Sequence, residues 1–323
     1  MRFGLQMNPY QPGATGNPWD AVERVARATD ASGFDSLWVY DHFLYEGGYG
    51  GHPVPEPVLE CFTTLGAVAA ITRRIRLGQL VVGVPYRNPA MLTKMATTLD
   101  LISGGRTILG IGAGWHKREY EAYGWGAFEE VPVRMRRLEE AVQVVLALWS
   151  ESPASFHGNF YSLDGVRDLP RPLQRPHPPI MIGGSGERVT LRLVAQYAQM
   201  CNVSGDPDTV RHRFELLRQH CERVGRPPQE VERTMFTTLL IGETEAEVAA
   251  KRERWAAFIP NNGALSGTPE QLIDQLAAYG RAGAEYVIFR TPDWIEVESV
   301  QLFAERVLPA LESAWSVTTP PAQ

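Results

Sequence analysis

The chain has 323 residues, 44% hydrophobic and 21% charged, an ordinary globular composition with ample material for a core. Its net charge of −6, from 31 Lys+Arg against 37 Asp+Glu, speaks against nucleic acid or an anionic membrane as partner. There is no run of 18 apolar residues and no signal peptide in "MRFGLQMNPYQPG"; the separated Cys61, Cys201 and Cys221 suit a reduced cytoplasmic protein without a zinc site.

Short apolar runs alternate with helical stretches. The first run, "FGLQM" from Phe3, precedes a helix that Asn17 caps, with Pro18 at its first position and Gly33 as its stop. The second, "DSLWV", runs on into Asp41-His42. A carboxylate beside an imidazole fixes its tautomer or raises its pKa and suits proton delivery; an exposed or capping pair is the plain alternative. Zinc would need a third ligand, for which His52 in "YEGGYGGH" is the nearby candidate. The third run, "RLGQLVVGV", exits through Gly83-Val84-Pro85 into a helix with Asn88 as cap and Pro89 first.

The fourth run opens "TILGIGAGWHKREYEAYG", in which Gly110, Gly112 and Gly114 bare one face of a strand end. That surface suits a flat ring against backbone, or close packing of helix on strand. Glu119 and Tyr120, one turn after Trp115 and His116, face back over the strand end if a helix starts there. Met135, Leu138, Val142, Val145 and Trp149 then step by three and four, one stripe of a helix packed on a sheet. Residues 151–178 contain a hairpin around Gly158-Asn159 and a proline-stiffened lead into the fifth run, "PIMIGG". There Gly183-Gly184-Ser185-Gly186 enters a helix beginning near Glu187. Bare amides at a helix amino terminus suit an anion such as phosphate, with the Ser185 hydroxyl and Arg188 or Arg192 at hand; a tight turn needing glycine is the alternative. After "MCNVSG" and "TMFTTLLIG", residues 243–267 insert a charged helix and the loop "PNNGALSG". Thr268 to Gln271 reads as a capping box ahead of the last run, "EYVIF".

Eight buried-strand runs alternating with helices predict a single (β/α)8 TIM-like barrel over residues 1–315, with insertions around the mouth and a loose tail, 316–323. A doubly wound open sheet is the alternative. Barrel sites lie at the carboxyl ends of the strands, where the candidates above fall. No dinucleotide fingerprint and no nucleophile elbow is present.

Together these residues resemble the luciferase-like monooxygenase superfamily, most closely its coenzyme F420 branch. The pieces are "DHF" at Asp41, "YRNP" at Tyr86, "ATTLDLISGGR" after it, "GIGAGWHKREYEAYG" at Gly110, "RLEEAVQVVLALW" at Arg137, "RPHPPIMIGGSGERVTLRLVAQYA" at Arg175 and "GTPEQL" at Gly267. The resemblance implies a flavin or deazaflavin across the barrel mouth. Gly183, Gly184, Ser185, Gly186 and Glu187 would serve its phosphate, Gly112, Gly114 and Trp115 its ring or ribityl chain, and His42 would lie close to the ring. It also implies a bulge at Val82 and Gly83 backing the ring, with a strained bond between Val81 and Val84. His42, Asp41 and Glu119 are the expected catalytic set, with no metal. The implied activity is hydride transfer between F420 and a small organic substrate; an FMN-dependent monooxygenase is the second reading and a non-catalytic flavin-binding protein the third. Arg87, Lys117, Arg118 and Arg188 are expected as scattered positive charge where the acidic tail of F420 would leave. A homodimer is implied through the second and third helices, with Leu65, Val68, Ala69 and Met91 as exposed apolar positions.

Overall fold

The computed structural model describes residues 1–7, 16–44, 57–259 and 263–311. The tail 316–323, His52, and part of the "PNNGALSG" loop lie outside the described residues. All eight apolar runs become strands: β1 (Arg2–Met7), β2 (Ser36–Val39), β3 (Arg76–Gln79), β4 (Thr107–Gly112), β5 (Ile180–Gly183), β6 (Met200–Val203), β7 (Glu232–Ile241) and β8 (Tyr286–Arg290). Each lies parallel to its neighbour in sequence. The ring closes where Arg2 to Leu5 of β1 pair with Tyr286 to Phe289 of β8. That last pairing excludes the open sheet and makes the fold a (β/α)8 barrel.

Around the strands run α1 (Pro18–Ala31), α2 (Cys61–Ile71), α3 (Pro89–Ser103), the short α4 (Lys117–Ala122), α5 (Val131–Ser150), α6 (Thr190–Tyr197), α7 (Pro207–Arg223), α8 (Glu245–Arg254), α9 (Pro269–Arg281) and α10 (Val297–Leu302). The expected starts hold. Asn17 accepts from the Trp19 amide, Asn88 from the Ala90 amide at 2.9 Å, and Thr268 with Gln271 closes a capping box. On α5, Leu138, Val142, Val145 and Trp149 are buried against the sheet.

Successive strand residues point outward to the helices and inward to the barrel axis. Leu37, Ile180 and Val287 join the outer core, whereas Trp38, Met181 and Ile288 fill the interior. Leu80, Val81 and Phe236 pack against this interior stack, and all three line the cavity at the strands' carboxyl ends. The pocket therefore begins where the plug ends.

The two insertions take opposite rims. The hairpin, Ala154–His157 with Ser162–Val166, follows α5 and packs on it through Ala154 and Leu163. The proline-rich lead is tied to the start of β4, where Gln174 Nε2 donates to the Thr107 carbonyl at 2.7 Å. None of these residues lines the mouth cavity. The second insertion does flank the mouth: Leu265–Gly267 adds a parallel strand beside Leu239 to Ile241 of β7. Among the described residues no helix is long and apolar enough to cross a membrane. One expectation is overturned here. Leu65, Val68 and Ala69 are fully buried in the outer core, because their side of α2 faces the barrel; Met91, 59% exposed, does reach the surface.

Candidate active site

The most connected side chain at the mouth is Glu119 of α4, itself 0% exposed. Its Oε2 accepts from Tyr86 Oη at 2.6 Å and lies 3.0 Å from His42 Nδ1. Its Oε1 accepts from the amides of Phe43 and, at 2.8 Å, Leu44. Four donors thus converge on one carboxylate from two loops. Burial alone would raise its pKa; the bonds from His42, Tyr86 and the Leu44 amide outweigh that and hold it below the ordinary value. Burial, then the bond to Glu119, keeps the Tyr86 phenol protonated well above its usual range. An ionised acceptor-only partner requires the proton on His42 Nδ1, which leaves Nε2 as the acceptor of the neutral ring. His116 positions α4, its Nδ1 accepting from the Glu119 amide at 3.0 Å.

The sequence pairs His42 with its neighbour Asp41, but the side chains diverge because adjacent residues leaving a strand face opposite ways. Asp41, 2% exposed, takes Arg87 instead: Arg87 Nη1 donates to Asp41 Oδ2 and Nη2 to Glu60 Oε1, both at 2.6 Å. Burial pushes the Asp41 carboxyl up while Arg87 pulls it back. At Arg87 the attraction of Asp41 outweighs burial, so the guanidinium keeps its proton. The guanidinium also lies 5.2 Å from the Phe43 ring centre and 5.3 Å from that of Phe62. Arg87 is therefore a buried brace behind the His42 loop and not part of an open basic exit. Arg192 is likewise engaged, with Glu139 at 3.0 Å, and Lys117 lies 3.8 Å from Glu121.

The cavity itself measures about 370 Å³, and pockets for organic ligands start at roughly 300 Å³. Gly83, Gly112, Gly114, Gly183 and Gly184 line it with Asp41, His42 and Trp115. Much of one wall is bare backbone, as a flat ring requires. Two of these glycines approach a protein side chain. A Cβ on Gly112 would come within 2.8 Å of Val81 Cγ2, and one on Gly183 within 2.8 Å of Val81 Cγ1. The gap on both strands is filled by the Val81 side chain, which forms the wall's centre. Val82, expected as a cofactor contact, is fully buried in the outer core and absent from the lining, since alternation turns it away from the mouth. The expected irregular bond also falls elsewhere. A cis peptide joins Leu80 and Val81, one bond before the stretch Val81 to Val84. Gly83 has ordinary extended angles, and its missing side chain makes room for the Tyr86 ring, 2.6 Å from a Cβ there.

At the fifth strand the loop expected to serve a phosphate differs in detail from the sequence reading. Helix α6 starts at Thr190 and not near Glu187, because residues 187–189 form a preceding turn. The Gly184 amide donates to the Asn202 carbonyl at 3.1 Å, so it belongs to the barrel ladder. The amides of Ser185, Gly186 and Glu187 have no hydrogen-bond partner among the described residues. Gly184 and Thr190 line the cavity; Ser185, Gly186 and Glu187, the rim segment between them in the chain, do not. Gly184 has φ +132° and Gly114 φ +72°, backbone that favours glycine.

Tyr86 and Phe236 are the important residues that sequence reasoning left without a role. Tyr86 sat inside a quoted motif, and a tyrosine following Gly83-Val84-Pro85 carries no signal of its partner. Phe236 sat in an ordinary apolar run. Among the described residues no group of three His, Cys, Asp or Glu side chains could hold a metal ion.

Residues 1–262 match the luciferase-like monooxygenase family. The chain belongs to that family. Within it, a similar protein is the F420-dependent glucose-6-phosphate dehydrogenase of Amycolatopsis mediterranei, 28% identical over 334 residues that cover 92% of this chain and 95% of that one. The FMNH(2)-dependent dimethylsulfone monooxygenase of Pseudomonas putida is 33% identical over 168 residues, 51% of this chain and 44% of that one. Among solved structures, an F420-dependent secondary alcohol dehydrogenase in complex with an F420-acetone adduct superposes with a TM-score of 0.80 at 22% identity, covering 96% of this chain and 98% of the other. At that identity the superposition speaks for the fold alone.

Proposed function

We propose that this luciferase-like protein is an F420-dependent oxidoreductase, moving a hydride between a deazaflavin and a small organic substrate. The observation that carries the reading is the bare-backbone wall centred on Val81 facing a histidine whose Nδ1 is fixed by Glu119. The resemblance to F420-dependent enzymes runs nearly end to end, whereas that to the FMNH(2)-dependent enzyme covers half the chain. The residues fit a planar cofactor: glycine backbone lines the cavity together with His42 and Trp115, and the amides of Ser185 to Glu187, in the chain between the lining residues Gly184 and Thr190, are bondable for a phosphate.

When bound, the deazaflavin supplies the carbon that gives or accepts hydride. The chain's own residues do the rest. Val81 and the glycine wall exclude water and set the ring's plane. His42 Nε2 takes or returns the accompanying proton, and Glu119 keeps the tautomer that makes this possible. Glu119 touches no ligand in this scheme and acts as a positioning residue, as Asp41 does through Arg87. Titrating purified protein with F420 and with FMN, followed by absorbance, tests the assignment. Micromolar FMN binding with no F420 binding would overturn it in favour of the monooxygenase reading. Gly186→Val should weaken cofactor binding about tenfold or more, since a Cβ there already meets Thr190 Oγ1 at 2.7 Å and would close over the rim amides. An unchanged Kd in a folded variant would remove that loop from phosphate binding.

The protein is further proposed to be cytoplasmic, its three cysteines being buried and unpaired, and to pair as a homodimer through α2 and α3. The outer face of that helix pair carries Thr63, Ala67, Ala70, Met91, Thr98 and Ile102 and a single charge, Lys94, which is paired with Asp168, an apolar balance unusual for exposed helix. Sedimentation should return a dimer mass for the native chain and a monomer mass for Met91→Glu with Ala67→Glu. A native monomer at all concentrations would contradict the assignment.

A further inference from the structure

Two chambers open side by side at the barrel mouth. The one described above lies over the ends of β2 to β5; a second, of about 410 Å³, lies over β6, β7 and β8 and is bounded by Gly263 to Leu265. Phe236 lines both. The two chambers therefore share an aromatic wall residue, which places a molecule in the second beside the cofactor site.

The second wall is rich in hydroxyls and poor in positive charge. Thr237 and Thr238 line it with one guanidinium, Arg290, and one carboxylate, Asp206. Arg290 is held by Thr238, its Nε donating to Oγ1 at 3.1 Å. Asp206 caps α7, accepting from the Thr209 amide at 2.8 Å, so the helix end that could draw an anion already holds one. The Thr209 amide keeps that carboxyl below its usual range, and hence ionised. No other cation lines the chamber. All lysines and arginines of the chain are among the described residues, and the three lysines are paired elsewhere: Lys94 with Asp168, Lys117 with Glu121 and Lys251 with Asp293. Arg213 lies behind the loop, donating to the Ser204 carbonyl. Of the charges that line the chamber, a phosphate dianion would face one guanidinium and one carboxylate; Arg213 acts only from behind the loop and is already drawn on by Asp206, which leaves little to offset the dianion's desolvation.

We propose that the second chamber holds the substrate and admits an oxygenated organic molecule with at most one negative charge, excluding phosphate monoesters. The inference rests on the cofactor reading above, and it separates this chain from the similar glucose-6-phosphate dehydrogenase in substrate. The test uses protein loaded with whichever of F420 or FMN binds, so that the rim amides are filled. Calorimetric titration with glucose-6-phosphate is expected to give no saturable binding below about 10 mM. Asp206→Asn with Thr237→Lys, which exchanges the carboxylate for a neutral cap and adds a cation, should tighten that binding at least about tenfold. Should the double variant not fold, Asp206→Asn alone keeps the cap and should still tighten it about threefold. In a turnover screen of alcohols beside their phosphate monoesters, activity should fall on the unphosphorylated members. Submillimolar glucose-6-phosphate binding by the native chain, no gain in a folded variant, or activity confined to phosphate esters would each overturn the proposal. Failure to bind either cofactor would sink the cofactor reading; on that protein the rim amides are open in native chain and variant alike, so the gain of Asp206→Asn over the native chain would still decide this one.

Discussion

His42→Ala is expected to lower kcat about 10²- to 10⁴-fold, the range for removing a group that transfers a proton in the transition state. The cofactor Kd should change little, because the glycine wall and rim amides remain. A graded series identifies the cause. Glu119→Gln keeps shape but not chemistry: the carboxylate accepts from His42, Tyr86, Phe43 and Leu44, and an amide can present an acceptor to only one side of that set. The other side becomes donor facing donor, a cost of about 1–3 kcal/mol in stability. The imidazole also loses the partner that fixes its tautomer, so kcat should fall about 10- to 100-fold with KM nearly unchanged. Tyr86→Phe removes one donor and leaves three, and a loss of under about tenfold is expected. The checks are steady-state kinetics with the preferred cofactor and a melting curve for each variant. Equal losses across the series, tracking melting temperature, would mean a structural cluster and not a proton-handling one.

The barrel was legible because its signal is repeated eight times: most strands, buried on both faces, read as apolar runs, and several helix starts carry their own cap, as at Asn17, Asn88 and Thr268. The site was legible by type and not by partner. Asp41-His42 stood out as adjacent chemistry, yet a sequence cannot say that strand alternation sends Asp41 to Arg87 while α4 brings Glu119 to His42, 77 residues away. Glu119 was placed over the mouth by its turn from Trp115, although the hydrogen bonds from Tyr86 and two loop amides have no local signature. The apolar positions of α2 show the same limit from another side. Leu65, Val68 and Ala69 are apolar because they pack on the barrel, and only the fold tells that face from the outer one.

The glycines of β4 illustrate how one pattern conceals different physics, and they carry the second large prediction. Gly110, Gly112 and Gly114 look alike in sequence, as one bare face offered to a ligand. In the barrel, Gly112 gives way to Val81 and Gly114 needs left-handed backbone. Gly110 serves no ligand at all. A Cβ there would stand 1.8 Å from the Gln79 carbonyl oxygen of β3 and 3.2 Å from Met181 of β5. The first contact is backbone, flanked by strands paired on both sides, so it cannot be relieved by a rotamer change. Gly110→Ala should therefore force β3 and β4 apart and destabilise the protein by about 3 kcal/mol or more, at the upper end for overpacking. Gly66→Ala, in the middle of α2 with nothing within 4 Å of the added carbon, should act in the opposite sense. Lower backbone entropy in the unfolded chain and better helix propensity predict a gain of about 0.5–1 kcal/mol. Urea unfolding of the two variants beside the native chain reads both signs in one experiment. A near-neutral Gly110→Ala would mean that β3 yields at Gln79, and the same flexibility would then undermine the rigid Val81 wall that follows it in sequence, on which the cofactor assignment leans.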